Sequence, residues 1–305
     1  MLHLRFPTRY LTGLVTVLGV LAAACTDSTG PNSQPLTRAE AQVIASEVAD
    51  EAAGVASTLT FGDLSSPSLF PSPATGPDVA PTHFPGRPNC PTVTPNPLAD
   101  SDGDGVPDDA TLTYTLPECR FTGPDGGTVE LTGTVRITDP STTAAGHRAA
   151  FTDFQRKFIR PDGNYFLSKL NGVRQVLRSP TGFSAIDQTT AEHESSEHPA
   201  GSKTVRDWTV EFVPDPGSTI QLREHLPSGN LTISGSVTRT SGEVTHSFTV
   251  ATLTPLHFDA TCTGHPKFTS GELRLTRTGP RGTVTIRIVF NGCGQEPTVT
   301  VEGGA

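Results

Sequence analysis

Beyond Ala24 the chain has no apolar run approaching the roughly 20 residues a helix needs to cross a bilayer, so membrane attachment through a helix can only come from its first residues. It has no Gly-x-Ser-x-Gly, no Gly-x-Gly-x-x-Gly opening a helix and no phosphate-binding Gly-rich loop, which removes the common local signatures of serine hydrolases and nucleotide enzymes. A triad assembled in space from distant Ser, His and Asp residues stays open. Basic residues are few, 22 Lys and Arg against 31 Asp and Glu. That balance argues against nucleic acid or an anionic lipid face as a partner. There is no Cys-x-x-Cys pair, which argues against a zinc site built from cysteines.

What is present begins with a basic head containing Arg5 and Arg9, an apolar core from Tyr10 to Ala24, and small residues up to Cys25. This is the order of a signal peptide, too short for a spanning helix. The run Leu21-Ala22-Ala23-Ala24-Cys25 resembles the lipobox of bacterial lipoproteins, with Ala22 where Leu is usual. The resemblance implies that residues 1–24 are removed and that Cys25 is acylated, several chains giving a durable anchor where one would not. The alternative is an ordinary signal peptide cut after Ala24, leaving Cys25 a spare thiol. Thr26 rather than Asp follows the cysteine, and the lipoprotein pattern then implies the outer membrane in an organism that has one. Losing residues 1–24 removes two Arg, so the mature chain carries 20 basic and 31 acidic residues, a net charge of −11.

Assigning Cys25 to lipid leaves Cys90, Cys119, Cys262 and Cys293. An oxidising envelope favours two disulfides, and proximity in the chain favours Cys90–Cys119 and Cys262–Cys293 over the other two pairings.

Residues 25–36 read as a lipidated polar tether over the Ser-, Gly- and Pro-rich stretch Thr26–Pro35, and 37–57 as an amphipathic helix. Thr37-Arg-Ala-Glu40 forms a capping box. Ala41, Ile44, Val48, Ala52 and Val55 recur at helical spacing, with Glu40, Glu47, Asp50 and Glu51 elsewhere. One face is expected to pack on a sheet. Residues 58–99 form a Pro-rich strap, pinned at its far end by Cys90.

From Ala110 onward period-two alternation dominates. Val129, Leu131, Val135 and Ile137 share one face, as do Trp208, Val210 and Phe212, then Leu231, Ile233 and Val237, then Leu273 and Leu275, then Val284, Ile286, Ile288 and Phe290. Gly235 marks a bulge or close backbone approach. Turn signals separate the strands at Pro161–Gly163, Pro227–Gly229, Thr240–Gly242 and Gly279–Gly282. Asp187–Lys203 is polar and reads as a flexible excursion. The expected fold is mainly β: an antiparallel meander over 110–305, as a curved sheet, barrel or sandwich, with one N-terminal α-helix.

Asp100-Ser-Asp102-Gly-Asp104-Gly-Val-Pro-Asp108-Asp109 places carboxylates at alternate positions around glycine turns, a donor set suited to a hard cation. It resembles one thrombospondin type 3 calcium repeat. It resembles an EF-hand loop less, since Thr111 stands where that loop needs Glu. The resemblance makes Asp100, Asp102, Asp104 and Asp108 the expected ligands of a structural calcium ion, with Asp109 spare. The alternative is a solvated acidic turn. Glu192-His193-Glu194-Ser-Ser-Glu197-His198 misses the His-x-x-x-His spacing of zinc peptidases by one residue and reads as a polar loop. The functional expectation is a non-enzymatic binding or structural lipoprotein of the cell envelope, attached through Cys25, with an apolar small molecule, lipid or glycan as ligand. The rival is a surface hydrolase or glycan-active enzyme.

Overall fold

The computed structural model describes residues 32, 34–56, 59, 90–95, 99–103, 106–123, 126–141, 146–179, 181–197, 199–220, 226–264, 266–280 and 282–303. Residues 1–24, expected to be a signal peptide, Cys25, most of the expected strap and Asp104 lie outside these. The described residues form helix α1 (Arg38–Ala56) and strands β1 (Thr92–Thr94), β2 (Asp109–Tyr114), β3 (Arg120–Thr122), β4 (Thr128–Thr138), β5 (Gly146–Ile159), β6 (Tyr165–Ser179), β7 (Gly182–Ser195), β8 (Ser202–Pro214), β9 (Gly229–Ser241), β10 (Val244–Phe258), β11 (Phe268–Gly279), β12 (Gly282–Val289) and β13 (Thr298–Glu302).

All thirteen strands belong to one antiparallel sheet in the order β1-β2-β4-β5-β6-β7-β8-β9-β10-β11-β12-β13, with β3 paired to β4. The expected meander is therefore present, and the sheet is open, with β1 and β13 at its edges. Because successive strands reverse direction, the connections divide between two rims. Those after β5, β7, β9 and β11 form what we term the odd rim, and those after β4, β6, β8, β10 and β12 the even rim.

The alternation read from the sequence sets the inner face. Leu131, Ile137, Trp208, Phe212, Leu231, Leu275 and Ile286 are among its buried residues. Removing a side chain of this size from water contributes about 1.5–3 kcal/mol. Gly235 is a close approach, as expected. Its φ is +138°, and a Cβ there would meet the Asp207 carbonyl oxygen on β8 at 2.1 Å.

The capping box forms as expected: Glu40 accepts from the Thr37 N–H at 2.8 Å, and Thr37 Oγ1 accepts from the Glu40 N–H at 3.2 Å. The expected apolar face is buried. From Glu51 to Ala56, however, every residue is buried, so this end of α1 is enclosed on all sides and not merely laid on a surface. Glu51, placed on the polar side by the helical pattern, is 7% exposed.

Two further expectations change. Asp187–Lys203 is not an excursion: β7 runs through to Ser195 and β8 begins at Ser202. Its polar residues misled because several of them point inward with partners. Asp187 accepts from buried Arg174 at 2.8 Å and from Thr189 Oγ1 at 2.7 Å. Likewise Asn32 and Gln34, placed in the tether, are bonded to the sheet.

Candidate functional site

The same alternation that buries Trp208 and Phe212 also turns charge inward. On β8, Thr204 and Arg206 are in phase with Trp208, Val210 and Phe212. Arg239 follows Val237 on β9, His246 precedes Phe248 on β10, Arg277 follows Leu275 on β11, and His193 shares the parity of Phe183 and Ala185 on β7. The inner face thus carries a belt of cationic and imidazole side chains near the odd rim.

Helix α1 meets this belt with acids at i, i+3 and i+4, which share one helical face. Glu47 takes a bidentate pair from Arg239, 2.6 Å to Nε and 3.0 Å to Nη2. Glu51 contacts the Arg206 guanidinium, and His193 Nε2 stands 3.6 Å from the other Glu51 oxygen. The Arg206 guanidinium also lies 5.9 Å from the Trp208 ring centroid. Burial pushes the Arg206 guanidinium down to about 9, which still leaves it protonated at neutral pH. Burial, reinforced by neighbouring Glu47, raises the Asp50 carboxyl to about 7. Burial lowers His193, favouring its neutral form. Arg206 Nε, Thr204 Oγ1, Trp208 Nε1 and His193 Nδ1 have no hydrogen-bond partner among the described residues. The belt is a docking surface for α1, and its chemistry is that of buried ion pairing.

A second lock holds the segment before α1. The Asn32 N–H donates to the Thr245 carbonyl at 3.0 Å. Its Oδ1 accepts from the Ser247 N–H at 2.8 Å and from Arg277 Nε at 3.0 Å, and its Nδ2 donates to the Thr278 carbonyl at 3.2 Å. Arg277 Nη2 donates back to the Asn32 carbonyl at 2.9 Å and to that of Gln34.

The disulfides join Cys90 to Cys119 and Cys262 to Cys293, the local pairing. The second ties the even-rim connections that follow β10 and β12.

In the acidic loop, Asp100 Oδ1 accepts from the Gly103 N–H at 2.8 Å, and Asp108 accepts from the Ser101 N–H at 2.9 Å. The Ser101 hydroxyl and N–H together hold the Asp108 carboxyl below its usual range. Asp109 is engaged by Arg136 at 2.9 and 2.7 Å. Among the described residues, no three of Asp, Glu, His and Cys converge as a metal-sized group. Asp104 lies outside the described residues, as does His198 of the histidine cluster. His193 faces inward while Glu192 and Glu194 face outward, because strand neighbours alternate, so these three cannot share a metal.

On the outer face, Lys169, Glu192, Glu194 and Lys203 line a shallow charged groove of about 410 Å³ near the odd rim. Near the even rim, Asp215 Oδ2 lies 3.0 Å from His257 Nε2, and His257 Nδ1 lies 2.8 Å from Thr269 Oγ1. This relay was not legible in the sequence, since its members come from a connection and two strands. Comparison of the chain with family models, with curated proteins and with solved structures found no match in any of the three.

Proposed function

We propose that this protein is an exported lipoprotein of the cell envelope, acylated at Cys25, that works as a non-enzymatic binding or structural module. The observation that carries the reading is the docking of α1. The inward acids and bases are occupied in holding the chain's own helix against the inner face of the sheet. A lipid, glycan or other small ligand would then meet the outer face or the strand-end connections. The proposal keeps a structural calcium ion at Asp100, Asp102, Asp104 and Asp108, and the outer membrane as the destination where one exists. The test is membrane fractionation of the full chain beside Cys25→Ser. The native chain should co-sediment with membranes and incorporate fatty acid, and the variant should be released while still folded. A Cys25→Ser chain that stays on the membrane overturns the anchor.

The surface-hydrolase reading is favoured by one observation, the Asp215–His257–Thr269 relay. With the proton on Nε2 donated to Asp215, Nδ1 is free to accept the Thr269 hydroxyl proton, the polarity a general base needs. Hydrolysis of nitrophenyl esters that disappears in His257→Ala, with a pH profile set by one imidazole, would transfer the proposal to this site. Activity equal in the variant and the native chain leaves the relay a brace between β10, β11 and the connection after β8.

A further inference from the structure

We infer that the odd rim is the surface that faces the lipid bilayer, so that the even rim, with its disulfide, acidic loop and His257 relay, is presented away from the membrane. This rests on acylation of Cys25 as proposed above. Its structural part is the lock at Asn32. The anchoring residue and the first held residue are seven positions apart. Seven residues reach at most about 25 Å when fully extended. Were the chain free as far as Thr37, twelve positions on, the reach would be about 43 Å.

The body is taller than the shorter reach. β6 and β10 each have 15 residues. At about 3.3 Å per residue such a strand is about 50 Å long. Asn32 is bonded at the odd rim, to Thr245 and Ser247 at the start of β10 and to Thr278 and Arg277 at the end of β11. With the body standing on its even rim, Asn32 would sit most of a strand length above the headgroups, a height that about 25 Å of chain cannot span. A free tether of about 43 Å would come close to doing so. The lock therefore turns a loose leash into a directional mount. It is closed by seven hydrogen bonds that involve Asn32 or Arg277, counting the longer one of 3.4 Å from Asn32 Nδ2 to the Ser247 carbonyl.

The consequence is functional. The long connections after β8, β10 and β12, the Cys262–Cys293 bridge and the Asp100–Asp108 loop all lie at the far end. They are the places where a soluble or surface-borne partner would first make contact.

The experiment uses the acylated full chain in phosphatidylcholine vesicles carrying a headgroup quencher. One fluorophore is attached through an introduced cysteine at Glu243→Cys, in the turn between β9 and β10, or at Ser218→Cys, in the connection after β8; both positions are exposed. Quenching should be several-fold stronger at position 243 than at 218. Adding Asn32→Ala should shrink that difference while leaving flotation with the vesicles intact. Equal quenching at the two positions, or stronger quenching at 218, overturns the orientation. A chain that carries no acyl group and does not float overturns the lipoprotein reading, and the mount with it. The two failures are thus told apart by flotation.

Discussion

The carboxylate of Glu51 sits against the guanidinium of Arg206 inside the core, their side chains 9% and 2% exposed. One partner comes from the only helix of the described residues and the other from β8, so the pair decides where α1 docks. Removing one member of such a pair strands a charge, which costs about 3–5 kcal/mol. Arg206→Met and Glu51→Ala should each lower the urea midpoint accordingly. The double variant Glu51→Met with Arg206→Leu should recover most of that loss, because an apolar filling needs no desolvated charge.

Asp50 gives α1 a pH dependence. Its folded carboxyl is raised to about 7 from the ordinary aspartate value of 3.8. The folded state therefore holds the proton more tightly between these values, and stability falls as pH rises through that window. His193, lowered by burial, works in the opposite sense: stability is lost as pH falls through the imidazole's ordinary range near 6.5. Asp50→Asn should raise the melting temperature at pH 8, leave it nearly unchanged at pH 4, and so flatten the alkaline side of the profile. An unchanged alkaline side would show that Asp50 ionises freely in the fold.

The Cys262–Cys293 bridge closes a separation of 31 residues between two even-rim connections. In the chain-entropy model a loop of this size contributes about 3–4 kcal/mol. Cys262→Ala with Cys293→Ala should lose stability on that scale in urea, with the Cys90–Cys119 bridge intact by mass spectrometry.

Calcium binding at the acidic loop should raise the melting temperature of the full chain at millimolar calcium, and Asp108→Asn should abolish the shift. Asp108 is the informative position because it already accepts the Ser101 N–H and hydroxyl, which keep it ionised. No calorimetric heat and no shift would leave the segment a solvated turn.

Much of the β architecture was legible because alternation is a local property. Val129, Leu131, Val135 and Ile137 announce one buried face whatever lies across from them, and Gly235 announces a close approach before its neighbour is known. The belt was legible in principle by the same parity: Arg206 is in step with Trp208, Arg239 with Val237 and Arg277 with Leu275. A charged residue in a core phase reads as an interruption of the apolar alternation, which also masks the continuity of β7 through Asp187 and Thr189.

What the sequence by itself determined follows from short range: the strand pattern, the capping box and the local cysteine pairing. Each depends on residues a few places apart or on the composition of one segment. Only the tertiary structure decided that the sheet stays open, that the end of α1 is enclosed rather than laid on a surface, and that Asn32 is clamped by Arg277, 245 positions away. Those outcomes depend on which inward charges meet. Parity tells which charges face inward, but the partner each one meets lies in a distant segment, so no local pattern can announce the pairing.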